Sequence, residues 1–145
     1  MRLSFYSDYS LRLLMYLAVR ADQLVTIQDV ADTYGISKNH LTKVAFDLGR
    51  AGYLDTVRGR GGGIRLAKRP QDIGLGQVLR ITEQDCGPAE CFDAASNRCP
   101  IAGPCRLKGV LGRAMAAFFA VLDDYTLADL TQRHPALKQL LEPAA

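Results

Sequence analysis

The chain has 145 residues, 48% of them hydrophobic, and a formal net charge of +3, enough for one sizeable core and a single domain with an appended element. No run approaches the roughly 18 apolar residues of a membrane span. The opening "MRLSFYSDYSLRLLMYLAVR" is broken by Asp8, Arg12 and Arg20 and lacks a small-residue cleavage site, which argues against a signal peptide and for a cytoplasmic protein. In that reducing compartment, clustered cysteines bind metal or do redox work more often than they form structural disulfides.

Leu11, Leu14, Met15 and Ala18 recur at helical spacing, which predicts a first helix over residues 8–20. Thr26 can cap a second, "IQDVADTYG", with Ile27, Val30 and Ala31 on one face and Gly35 as its stop. Ser37 then suits the N-cap of a third, with Leu41, Val44, Ala45 and Leu48 as the buried stripe and Gly52 as its end. The link around Gly35 is short enough for a helix-turn-helix. "YLDTV" and "GIRLA" read as two strands joined by "RGRGG", a hairpin whose tip needs glycine for positive φ. Three helices and a hairpin in this order predict a mainly α fold, a winged helix-turn-helix over residues 1–70.

Beyond Pro70, "IGLGQVLRITEQ" suggests a short helix that leads, within residues 71–103, into a cysteine loop. Residues 104–145 should hold a long helix to about Asp124, followed by helices packing back on it. Its Leu107, Leu111, Ala114, Phe118, Val121 and Tyr125 step by four, three, four, three and four. That is a heptad seam, expected to make the helix the dimerisation element of a homodimer.

Charge points to nucleic acid. Residues 1–70 carry 11 Lys and Arg against 6 Asp and Glu, whereas residues 71–145 carry 7 against 9. In a helix-turn-helix the N-terminal residues of the second helix lie nearest the base edges. These are Ser37, Lys38, Asn39 and His40, with Lys43 a turn later. Asn39 has the groups to pair with adenine, and lysine reaches guanine or phosphate. Arg58, Arg60 and Arg65 on the wing suit a minor groove or flanking phosphates. The expected partner is a double-stranded DNA operator, palindromic if the protein is a dimer.

The stretch "CFDAASNRCPIAGPC" places Cys91, Cys99 and Cys105 in a loop, with Cys86 upstream, and four, seven and five residues separate the four thiols. Structural zinc sites favour cysteines two to four residues apart. Longer spacers suit an iron–sulfur cluster, and spacing alone leaves both open. A catalytic thiol pair is disfavoured: there is no Cys-x-x-Cys, no cofactor-binding glycine motif, and only two histidines, His40 and His134. No enzymatic activity is expected.

The opening "MRLSFYSDYSLRLLMYLA", the helix "YGISKNHLTKV", the wing "VRGRGGGIRLAK" and three cysteines before a long helix together resemble the Rrf2 family of bacterial transcription regulators. The likeness covers nearly the whole chain and is strongest to the family's nitric-oxide-sensing repressors. It implies a cluster, 4Fe-4S in preference to 2Fe-2S, held by Cys91, Cys99 and Cys105, with Asp8 of the partner subunit as fourth ligand. It also implies nitric oxide as the signal and release of the operator as the output. Asp8 has a second reading as the N-cap of the first helix. Members that regulate cluster assembly use a histidine three residues past the last cysteine, where this chain has Lys108. Cys86 lies outside the three-cysteine pattern, as a spare thiol or a replacement for Asp8. An iron-responsive cluster regulator and a zinc-binding constitutive DNA-binding protein are the alternatives.

Overall fold

In the computed structural model, which describes residues 2–83 and 87–141, the first helix starts at Ser4. Its hydroxyl accepts the N–H of Ser7, and α1 runs over Phe5–Val19. The sequence pattern had started it three residues later, because "SFYSDYS" offers several capping side chains in a row. The buried face also differs from the predicted one. Leu13, Leu14, Tyr16 and Leu17 are sealed in the core, while Leu11, Met15 and Ala18 only lean against it. Because α1 is packed on several sides, its apolar residues do not resolve into a single stripe.

Helices α2 (Ile27–Tyr34) and α3 (Lys38–Arg50) follow. Thr26 and Asp29 form a reciprocal capping box at the start of α2, and Gly35 ends it in the left-handed conformation at φ 63°. Val30, Ala31, Leu41, Val44, Ala45 and Leu48 join the α1 residues in one core; each fully buried leucine contributes about 1.5–3 kcal/mol. Strands β1 (Leu54–Val57) and β2 (Gly63–Leu66) pair antiparallel, with Leu54 opposite Leu66 and Thr56 opposite Ile64. Val25 bridges Ile64 from the other side, so the wing is anchored to the segment before α2. Gly59 and Gly61 at the tip have φ of 98° and 75°, the conformation that makes glycine necessary there.

A 3-10 turn at Pro70–Asp72 leads to α4 (Leu75–Thr82), and a second at Glu90–Phe92 lies in the cysteine loop. Helix α5 (Arg106–Asp123) is the longest, and not one of its residues is buried. It is held to the body mainly through α4. There the Arg80 guanidinium donates to both carboxylate oxygens of Asp123 at 2.6 and 2.7 Å and lies over the Phe119 ring. Its open stripe is Leu107, Val110, Ala114, Ala117 and Val121, with Leu107 and Val121 62% and 59% exposed. Of the predicted seam, Leu111 and Phe118 are instead half-buried; Val110 and Ala117, one residue earlier, take their places on the open face.

The short helices α6 (Leu127–Thr131) and α7 (Pro135–Leu141) pack on α1 and not back on α5 as expected. Leu127 and Leu141 enter the core, the Leu127 N–H bonds to Ile73 O at 2.8 Å, and Arg20 donates to the carbonyl of Leu141. The winged-helix core is thus completed by the C-terminal segment.

Candidate nucleic-acid interface and metal centre

Helix α3 buries one side, so the other is fixed by geometry. Asn39, Lys43, Phe46 and Arg50 fall on the outward stripe, opposite Leu41, Val44, Ala45 and Leu48, and all four are exposed. Lys38 and His40 flank that stripe, both exposed. Ser37 occupies the N-cap position, but its hydroxyl makes no capping bond, so the first N–H groups of α3 face outward without a side-chain acceptor. On the wing, Arg58 and Arg60 are exposed at the tip. Arg65 faces Asp55 across the hairpin at 3.7 Å, with both side chains more than half exposed. That pair contributes at most about 1 kcal/mol, yet it offsets the charge of Arg65, leaving Arg58 and Arg60 as the wing's forward cations. Replacing Arg60 with alanine should weaken binding to every DNA sequence alike and lower the slope of log affinity against log salt by about one. Affinity measured across a salt series checks this.

Helix α1 holds α3 from behind. The Tyr6 hydroxyl donates to the Asp47 carboxylate at 2.8 Å, and the rings of Tyr9 and His40 stack with centroids 6.2 Å apart. Burial, then the hydrogen bond to Asp47 and the Asp47 charge, push the Tyr6 hydroxyl up to about 12 from its usual 10.0. The raised value means the fold favours the neutral phenol. Its contribution is therefore complete below pH 10.0 and is lost as pH climbs toward 12. Replacing Tyr6 with phenylalanine should cost about 1 kcal/mol in denaturant unfolding, with a further penalty for the unpaired Asp47. On its other side α1 meets α4: Ser7 Oγ donates to Thr82 Oγ1 at 2.8 Å in a buried contact, and the Ser4 N–H donates to Glu83 at 2.6 Å. The start of α1 thus touches both α3 and the α4 end. Sequence reasoning missed Tyr6, Tyr9 and Asp47, because their partners are distant in the chain.

Asp8 also lies on α1, within the first turn and not at the N-cap, which belongs to Ser4. Its carboxylate pairs with Arg12 one turn on, at 3.0 Å, with both side chains about two-fifths exposed. Arg12 in turn lies 5.8 Å from the centroid of Tyr34 at the end of α2. In the loop, Cys91 sits in the 3-10 turn, the Cys99 N–H donates to Asn97, and Cys105 is the N-cap of α5. The Cys105 sulfur accepts the Lys108 N–H at 3.4 Å. All three thiols are half-buried and unbridged. Among the described residues no three His, Cys, Asp or Glu side chains are gathered as a ligand set, and Cys86 lies outside those residues. By donor chemistry the loop fits an iron–sulfur cluster: three unpaired soft sulfurs on irregular backbone, one of them already accepting an N–H as cluster-bound sulfurs do.

The sequence model of the Rrf2 family, described as "Iron-dependent Transcriptional regulator", matches residues 3–133. The chain belongs to the Rrf2 family. It is 52% identical over 143 residues to the HTH-type transcriptional regulator NsrR of Bacillus subtilis, covering 98% of each chain. Among solved structures it resembles CymR, the global cysteine regulator of B. subtilis, with a TM-score of 0.71 and 25% identity over 90% of this chain and 96% of that one. It also resembles T. potens IscR, with a TM-score of 0.70 and 25% identity over 90% and 85%. As an Rrf2-family member the chain is a DNA-binding transcription regulator with a winged helix-turn-helix, and not an enzyme. Among the described residues no helix is long and apolar enough to cross a membrane.

Proposed function

We propose that the protein is a homodimeric iron–sulfur repressor that releases a palindromic operator when nitric oxide damages its cluster. The observation that carries this reading is the set of three free thiols on the loop entering α5, in a chain half identical to a regulator named NsrR. Cys91, Cys99 and Cys105 would hold a 4Fe-4S cluster from one subunit, and Asp8 of the partner subunit would complete it. When bound, such a cluster supplies iron that reacts with nitric oxide, and a carboxylate ligand leaves one iron more open than a fourth thiolate would.

The chain's own residues supply the transmission. Asp8, paired with Arg12 in the single chain, would share or give up that partner in holding the cluster. That change would act on the helix whose Tyr6 and Tyr9 brace α3. A dimer on a palindrome presents its two recognition helices about 34 Å apart, so a small displacement of each lowers specific affinity by losing one half-site. Ser37, Lys38, Asn39, His40 and Lys43 would meet the major groove, with Arg58, Arg60 and Arg65 on flanking backbone.

A second reading, an iron-responsive regulator with the same cluster, is favoured by the family's description as iron-dependent. An absorption spectrum of anaerobically purified protein, with iron, sulfide and zinc assayed, tests the cofactor. Brown protein with a broad band and several irons per chain is expected. Colourless protein with stoichiometric zinc overturns it.

A further inference from the structure

The outward face of α3 is not uniformly polar. The Thr42 hydroxyl donates to the Lys38 carbonyl at 2.8 Å, which occupies the polar group of an exposed side chain. One turn on, Phe46 is 64% exposed. A phenylalanine on this face takes no part in the core. Its neighbours on the stripe are cations: Lys43, and Arg50 with its guanidinium 5.9 Å from the ring centroid. An apolar strip flanked by positive charge has a matching surface in the major groove. There the phosphates lie to either side, and the one apolar group on any base edge is the thymine C5 methyl. Residues 42 and 46 are about 6 Å apart along the helix, close to two base-pair steps.

We propose that Phe46, together with the Thr42 methyl, determines specificity by packing on thymine methyl groups in each operator half-site, beside the adenine expected for Asn39. The proposal rests on α3 being the helix in the major groove. It adds a hydrophobic readout to one that the polar residues alone would make by hydrogen bonding.

Operators for the test come from selecting random duplexes against the full chain, purified anaerobically. Each thymine of the selected half-site is then replaced by deoxyuridine, which removes only the methyl. The wild-type protein should lose about fourfold in affinity for each contacted methyl. Phe46→Ala should lose the uracil penalty at the thymine that Phe46 meets while keeping any that Thr42 meets, and Phe46→Leu should keep part of the discrimination. Arg60→Ala, run alongside, should keep the wild-type uracil penalty. The proposal is overturned if no uracil weakens the wild type, or if Phe46→Ala retains the full penalty. If Asn39→Ala and Phe46→Ala both leave binding to every duplex unchanged, α3 is not the reading helix and the underlying assignment falls as well.

Discussion

Replacing both Leu107 and Val121 with glutamate should convert the protein from dimer to monomer while leaving each chain folded. Both side chains are about three-fifths exposed in the single chain, so the change removes nothing from its core, and far-UV circular dichroism should be unaltered. In a two-fold dimer built on α5 the stripe meets its own copy, and the new carboxylates are buried unpaired. Burying one such charge costs several kcal/mol, and a dimer interface would take four. Helix α5 is about 27 Å long, and its stripe of Leu107, Val110, Ala114, Ala117 and Val121 spans most of that length. Sedimentation velocity checks the result: a variant that still sediments as a dimer places the interface elsewhere. Operator affinity should fall with the dimer, since one half-site alone binds weakly.

The second large effect concerns the thiols. Cys91→Ser, Cys99→Ser and Cys105→Ser should each abolish the cluster, because each substitution removes the thiolate that would anchor one iron to the loop. Asp8→Ala should lose the cluster or hold it less tightly, and should change the response to nitric oxide. It also releases Arg12, whose other neighbour is the Tyr34 ring. Cys86→Ser should retain the brown colour. Iron content and absorbance of the five variants decide between the two candidate fourth ligands. Colour lost with Cys86→Ser and kept with Asp8→Ala assigns the ligand to the cysteine and removes the tie between subunits.

Much of the winged helix was legible because its punctuation is local. Thr26, Gly35 and Gly52 mark helix ends by conformational preference alone, and the α3 stripe repeats cleanly because that helix has one wet side. Helix α1 was less legible for the opposite reason: with neighbours on several sides, Leu13 and Leu17 are as buried as Leu14. The docking of α6 and α7 on α1 depends on contacts such as Leu127 with Ile73, more than 50 positions apart in the chain, which no local pattern encodes. At the site, cation positions could be read from sequence, but the pairing of Arg65 with Asp55 follows from strand register. Phe46 was missed because an aromatic in a helical pattern reads as core until the helix is oriented. The cysteines announce ligand chemistry through their type and loop setting. A ligand supplied from another subunit would leave no trace in that spacing.

The coupling of cluster to operator is tested most directly by one titration. Labelled operator duplex is bound to anaerobically purified protein, nitric oxide is added stepwise, and DNA anisotropy and cluster absorbance are read from the same sample. Release should track the loss of the cluster band, with affinity at the end point at least about tenfold weaker, equivalent to some 1.4 kcal/mol. Binding that persists unchanged after the band has gone would contradict the account.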